Sequence, residues 1–244
     1  MMSFLTAMNT VSLAELDSVA LLNRIDNKYV LNKLQLELIL PVIQQNYSVL
    51  LIGNDKIFTY ENNYFDTKDF QFYYDHHNGY TNRMKVRSRK YIETNTSFFE
   101  IKKKENIDRT SKTREKVDQL IAEIDDSKKE TIQQLSRKPI ADLMLTLNNK
   151  FNRITFVNNE QTERMTLDFN IHFSDDLSQK DFSDFYVVEV KQSKSNGRSV
   201  VTEVLKKNNI REQSFSKYIF GIIALKDNVR MNNFLPLIKK INKL

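Results

Sequence analysis

The segment Arg83-Met84-Lys85-Val86-Arg87-Ser88-Arg89 carries a cation at every second position. Two is the period of a β-strand, whose successive side chains point to opposite faces. Arg83, Lys85, Arg87 and Arg89 therefore share one face, with Met84, Val86 and Ser88 on the other. Like charges a few ångströms apart repel strongly at a protein-like dielectric, so such a row requires water or a polyanion. The chemistry it offers is anion binding, because guanidinium and ammonium groups donate charge-assisted hydrogen bonds to phosphate oxygens.

The alternation recurs along the chain. Glu100, Lys102 and Lys104 oppose Phe99 and Ile101, and Lys112, Arg114 and Lys116 share a face. Arg164, Thr166, Asp168 and Asn170 oppose Met165, Leu167 and Phe169. Glu189 and Lys191 lie with Val187, while Arg24, Asp26 and Lys28 oppose Ile25 and Tyr29. An antiparallel sheet with one solvated face accounts for any one of these strands. The set says more. Its polar faces hold Glu-x-Lys pairs rather than Thr, Ser and Gln, and several opposite faces are firmly apolar. If the strands close with the apolar face outward against helices, the charges line the bore. Many cations with a few carboxylates suit a phosphate chain whose metal the acids help to hold.

The elements that must position these residues follow from periodicity and punctuation. Four glycines, three prolines and no low-complexity linker in 244 residues favour one domain over 1–244. Strands are expected at 21–31, 47–52, 56–66, 82–92, 96–104, 110–118, 151–158, 163–171 and 184–192. Helices are expected at 12–20, 33–46, 68–76, 128–145, 199–209, 215–225 and 232–242, with Pro41 kinking or restarting the second. Grouped strands indicate an α+β fold with a mainly antiparallel sheet.

Composition narrows the function. The formal charge of +6 favours anionic partners. With no cysteine and three histidines, any metal would be hard and oxygen-ligated. No stretch reaches the roughly 20 apolar residues that span a bilayer. Met-Met-Ser-Phe-Leu-Thr does not resemble a secretory leader, so a cytoplasmic location is expected.

The ordered set Arg24-x-Asp26-x-Lys28-Tyr29, Tyr64-Phe65-Asp66-Thr67, Arg83-x-Lys85-Val86-Arg87-x-Arg89 and Glu100-Ile101-Lys102 resembles a known family. Ser111-Lys112-x-Arg114, Arg153-x-Thr155, Arg164-x-Thr166-x-Asp168, Glu189-Val190-Lys191 and Ser214-x-Ser216-Lys217-Tyr218 extend the likeness over about residues 20–222. The family is the VTC-type polyphosphate polymerase domain of the CYTH-like triphosphate tunnel metalloenzymes. Asp26 stands where the family pattern usually has Glu. The resemblance implies a closed antiparallel β-barrel of about eight strands with flanking helices, including a carboxy-terminal helix at about 228–242. It implies phosphate contacts and catalysis by Lys28, Arg87, Arg89, Lys102, Arg153, Arg164 and Lys217. Arg83, Lys85, Lys112, Arg114, Lys191, Ser214 and Ser216 would bind substrate along the wall. A divalent metal, Mn²⁺ or Mg²⁺, would be held by Glu189, with Asp168, Glu100 and Asp26 as helpers.

The expected partners are ATP or another triphosphate and inorganic polyphosphate. Polymerisation of the ATP γ-phosphate leads. Hydrolysis of tripolyphosphate or an organic triphosphate, and non-catalytic sensing, stay open. A nucleic-acid surface is not expected, since its phosphates would meet interspersed acids. The carboxy-terminal Lys239, Lys240 and Lys243 leave a membrane partner open.

Overall fold

The computed structural model describes residues 2–18, 24–105, 110–136, 138–193 and 199–243. The chain begins with a 3₁₀ turn at Met2–Ala7, β1 (Thr10–Val11), α1 (Leu13–Ser18), β2 (Arg24–Asn32), α2 (Lys33–Asn46) and β3 (Tyr47–Leu50). Next come β4 (Phe58–Thr67), α3 (Gln71–His77), β5 (Arg83–Tyr91), β6 (Thr96–Lys104), β7 (Thr110–Val117) and α4 (Asp126–Leu135). The remainder is β8 (Leu143–Asn158), β9 (Glu163–Ser174), β10 (Gln179–Phe182), β11 (Phe185–Ser193), α5 (Val200–Lys207), α6 (Lys217–Leu225) and α7 (Leu235–Ile241). The opening part of the expected 21–31 strand lies outside the described residues.

The helix starts follow local chemistry. Asn32 caps α2 by accepting from the Gln35 N–H at 2.9 Å, and the Gln35 side chain accepts from the Asn32 N–H at 3.1 Å. Ser199 and Ser216 cap α5 and α6 in the same sense. Pro41 sits inside α2, which nevertheless continues to Asn46. The expected helix over 128–145 is corrected: α4 stops at Leu135, and β8 starts at Leu143. Ser136 is already extended, and Pro139 biases the residue before it away from helix.

One antiparallel path runs β2-β11-β9-β8-β4-β5-β6-β7. Its outward face is apolar. Phe4, Leu36, Ile39, Ile43, Val201 and Leu205 cover Tyr29, Leu31, Ile154, Phe156, Leu167, Val188 and Val190. Phe72 and Ile132 cover Met84, Val86, Phe99 and Ile101 further along the sheet. Each fully buried aliphatic side chain contributes about 1.5–3 kcal/mol. That burial forces the alternate, charged residues onto the concave face.

The concave face divides along its length. At one end Val30, Tyr64, Leu147, Phe151, Ile171, Phe173 and Val187 pack on Phe215, Tyr218, Ile219, Phe220 and Ile222, so α6 plugs it. A bulge makes this possible. Asn170 adopts φ 49 and the β8–β9 register shifts between Lys150 and Asn152. One extra residue reverses the parity of β9. Ile171 and Phe173 thereby reach the plug, and Asn170 leaves the expected polar row to donate to Asn152 Oδ1 at 3.0 Å.

The expected closed barrel is also corrected. Among the described residues no ladder joins β2 to β7, so the eight-strand path curls without closing. The two edges would set Lys112, Arg114 and Lys116 against Lys28 and its neighbours, and opposed like charges disfavour pairing. Tight packing against α6 gives the first testable outcome. A Cβ on Gly221 would come within 2.5 Å of Leu147 Cδ2 and 2.6 Å of Phe173 Cδ1. Gly221→Ala is expected to lower stability by about 1–3 kcal/mol, read from the urea midpoint.

Candidate functional site

Beyond the α6 plug, the concave face carries three carboxylates, each wrapped by cations. On β5–β7, Glu100 Oε2 accepts from Arg87 Nε at 2.7 Å, and its other oxygen lies 2.5 Å from Lys112 Nζ and 3.4 Å from Arg114 Nε. Pairing of Arg87 with Glu100 and of Glu100 with Arg114 in the ladders brings these groups level. Burial opposes ionisation of Glu100, but Arg87, Arg89 and Lys112 outweigh it and hold its pKa at about 2.

On β8 and β9, Arg153 grips Asp168 through two bonds, of 2.5 and 2.8 Å. Lys217, the first residue of α6, closes on the second Asp168 oxygen and lies 4.1 Å from the Phe151 ring centre. Burial again opposes ionisation and again loses, to Arg153 and Lys217, leaving Asp168 at about 2. Burial also pulls Lys217 down to about 8 despite Asp168.

On β2 and β11, Glu189 lies between Lys191 at 2.7 Å and Lys28 at 3.6 Å. Lys28 also donates to the Phe215 carbonyl at 3.1 Å, and Lys85 of β5 donates to Ser216 Oγ at 2.7 Å. The turn before α6 thus ties β2 to β5 across the concave face. Desolvation disfavours the Glu189 carboxylate, yet Lys191, Lys28 and Arg153 keep it far below the ordinary range.

The other expected residues separate. Arg89 is buried, donating to Asn62 Oδ1 at 2.7 Å. Lys102 is exposed on the face, paired in register with Lys85 and Lys112. Asp26 and Ser214 are exposed, with Asp26 level with Lys191. Two cations turn away from the cluster. Arg83 donates to the Tyr80 carbonyl at 3.0 Å, and Arg164 donates to the Leu16 carbonyl in the last turn of α1. Strand period reveals a side chain's face but not its reach, and an unpaired helix carbonyl attracts a guanidinium.

Sequence reading missed one stave of the site. Tyr60, Asn62 and Tyr64 of β4 stand opposite Tyr91, Arg89 and Arg87. Arg89 and Arg153 lie 5.1 and 5.0 Å from the Tyr60 ring centre, and Arg87 donates to Tyr64 Oη at 3.5 Å. The signal was present as Tyr60-x-Asn62-x-Tyr64, a period-two row without charge.

The four carboxylates named for a metal do not gather: among the described residues no three acidic or histidine side chains form a cluster. A hard divalent ion still fits, since Mg²⁺ is commonly held by one or two carboxylates together with substrate phosphates. Glu189, between Lys191 and Lys28, would be the carboxylate to hold such an ion.

The ionised carboxylates set an acid limit. Asp168 and Glu100 sit at about 2, against ordinary values of 3.8 and 4.5. Depressed carboxylates stabilise fully above their ordinary values, and the contribution is lost as the pH falls toward the folded value. The urea midpoint is therefore expected to drop progressively between about pH 5 and about pH 2. Asp168→Asn, which leaves Arg153 and Lys217 uncompensated, should cost about 3–5 kcal/mol at the upper pH and flatten that drop.

No curated protein matches the chain. Among solved structures, a putative adenylyl cyclase from Hippeastrum, described as having a dominant triphosphatase activity, superposes with a TM-score of 0.53 at 14% identity. The alignment covers 82% of this chain and 96% of that one, so the two share a fold. A putative adenylate cyclase from Vibrio parahaemolyticus aligns with a TM-score of 0.47 at 14% identity, over 81% of this chain and 97% of that one. The sequence profile of the VTC domain matches residues 23–226, the span that holds every cation cluster described above, and the chain belongs to that family.

Proposed function

We propose that this protein is a metal-dependent polyphosphate polymerase that transfers the γ-phosphate of ATP to a growing polyphosphate chain on its concave face. One observation carries the reading. Burial, Lys28, Lys102, Arg83 and Arg87 push Lys85 well below its ordinary value. The face therefore stores like-charge repulsion that a bound polyanion relieves. Phosphate oxygens supply that negative charge and accept charge-assisted hydrogen bonds from such cations.

Phosphoryl transfer depends on in-line positioning and charge neutralisation more than on a protein nucleophile. Arg87, Arg89 and Arg153 are the rigid forks, each fixed by an oxygen or a ring and able to turn remaining N–H donors toward phosphate. Lys28, Lys102, Lys191 and Lys217 supply mobile charge. A divalent metal held by Glu189, Mn²⁺ or Mg²⁺, would neutralise charge developing on the transferring group. Asp168 and Glu100, clamped by cations, orient those cations and are second in line for metal.

The reading takes 1–244 as one tunnel domain whose curled, open sheet holds its substrate. In support, α7 buries Leu237 and Ile241 in the same cluster as α6. That packing uses the apolar side of the Lys239–Lys240 helix and favours a structural over a membrane role. No described helix is long and apolar enough to cross a membrane, and a cytoplasmic location is proposed on the absence of cysteine. Hydrolysis of a triphosphate is the second reading. The α6 plug favours it, because a short substrate fits a blind pocket whereas a long chain must leave by the open end.

Incubation with ATP and Mn²⁺ tests both. ADP with long chains is the expected product, and free phosphate without chains would favour hydrolysis. A hydrogen bond to a charged group contributes about 1.5–3 kcal/mol. Arg87→Ala combined with Arg89→Ala should therefore weaken triphosphate binding roughly 100-fold or more in calorimetry. Glu189→Gln should retain binding and lose turnover; unchanged turnover would remove Glu189 from metal binding.

A further inference from the structure

Lys85 and Ser216 meet across the concave face at 2.7 Å, joining β5 to the residue that precedes α6. Capping does not use up this hydroxyl. Ser216 Oγ accepts from the Ile219 N–H at 3.5 Å, a long contact that engages one lone pair and leaves the hydroxyl proton available. Lys85 faces Lys28 on β2, Lys102 on β6, Arg83 and Arg87 on its own strand, and His76 on α3. Burial first, and then Lys28, Lys102, Arg83 and Arg87, lower the Lys85 amine well below its ordinary value. A hydroxyl in hydrogen-bond reach of an amine that readily gives up its charge is the arrangement of a Ser–Lys nucleophile pair.

Ser216 also stands where a reacting phosphate would lie under the proposed function, on which this inference rests. The residue after it, Lys217, reaches Asp168, and the residue before it accepts from Lys28 through its carbonyl. We propose that Ser216 takes the terminal phosphoryl group of a bound nucleoside triphosphate, with Lys85 removing its proton, so that the enzyme carries its own first acceptor.

The step balances as follows. The neutral Lys85 amine accepts the hydroxyl proton, Ser216 Oγ bonds to the γ-phosphorus, and the bond from that phosphorus to the β–γ bridging oxygen breaks. A nucleoside diphosphate leaves. The phosphoserine dianion then faces Lys28, Lys85 and Lys217 at the start of α6, where both the cations and the helix dipole stabilise it. Its terminal oxygens are the same nucleophile as the end of a phosphate chain, so a second transfer to it forms a phosphoanhydride.

The test uses the full chain with ATP and Mn²⁺, quenched in acid during the first turnovers, with mass spectrometry of the intact protein and of its peptides. One phosphoryl group on Ser216 is expected. Ser216→Ala and Ser216→Gly should both lack it, the glycine variant serving because glycine caps a helix nearly as well as serine. Lys85→Arg keeps a cation but cannot accept the proton, and should slow labelling roughly 100-fold. ADP and polyphosphate are measured in the same samples. Chains without label on Ser216 overturn this inference and leave the polymerase reading standing. Label confined to other residues, or labelling by Lys85→Arg at the wild-type rate, also overturns it. Absence of label, ADP and chains together overturns both readings.

Discussion

Repulsion among half-buried cations on one face of a curled sheet is the constraint on which the rest of the structure turns. Opposite that face the same strands bury Leu31, Ile154, Phe156, Leu167, Val188 and Val190 under helices. With a residue period of two, each apolar residue driven outward sends its neighbours inward. Hydrophobic burial thus holds the cations together against their own field. Glu100, Asp168 and Glu189 offset part of it, and each is shared by two or more cations rather than paired off. A carboxylate that is shared leaves each cation with donors to spare, which a neatly paired ion bridge would not.

The same constraint explains why α6 enters as it does. Its body is apolar and plugs one end through Tyr218, Ile219, Phe220 and Ile222. Asp66 shows how firmly that end is shut. It accepts from the N–H groups of Thr67, Phe72 and Tyr73 and from the Tyr218 hydroxyl, yet burial still raises it to about 6. Water is excluded there and admitted around Lys28 and Lys102. The boundary between dry and wet runs through Ser216 and Lys217, so the first turn of α6 is the floor of the charged compartment.

Much of this was legible in the sequence because burial and charge both obey the strand period. Glu100, Lys102, Lys112 and Arg114 fell on one face, as did Glu189, Lys191 and Val187. What failed was whatever depends on a break in that period or on a distant partner. Asn tolerates the left-handed region, but the alternation through Asp168-Phe169-Asn170-Ile171 does not show that Asn170 adopts it and reverses the facing of the strand. The Leu143–Leu147 run fits a helix as well as a strand until Pro139 is weighed. Arg164 belongs by spacing to the polar row, but its guanidinium donates to the distant Leu16 carbonyl. Closure of β7 onto β2 could not be read at all, since it turns on two charged edges meeting.

Those open edges bear on how the charged face responds to its surroundings. A ladder between β2 and β7 would fix the bore, and its width would not respond to charge. Lys112 and Arg114 lie on one edge and Lys28 near the other, each beside a carboxylate, so charge acts on both edges. An anion in the compartment attracts both edges, while an empty compartment lets them repel. Screening by salt weakens both tendencies over about 8–10 Å at physiological ionic strength. The α6 floor is fixed by apolar packing and does not share this response. The charged edges β2 and β7 are therefore the part of the sheet on which ionic conditions act, and the α6 end is the part that apolar packing holds.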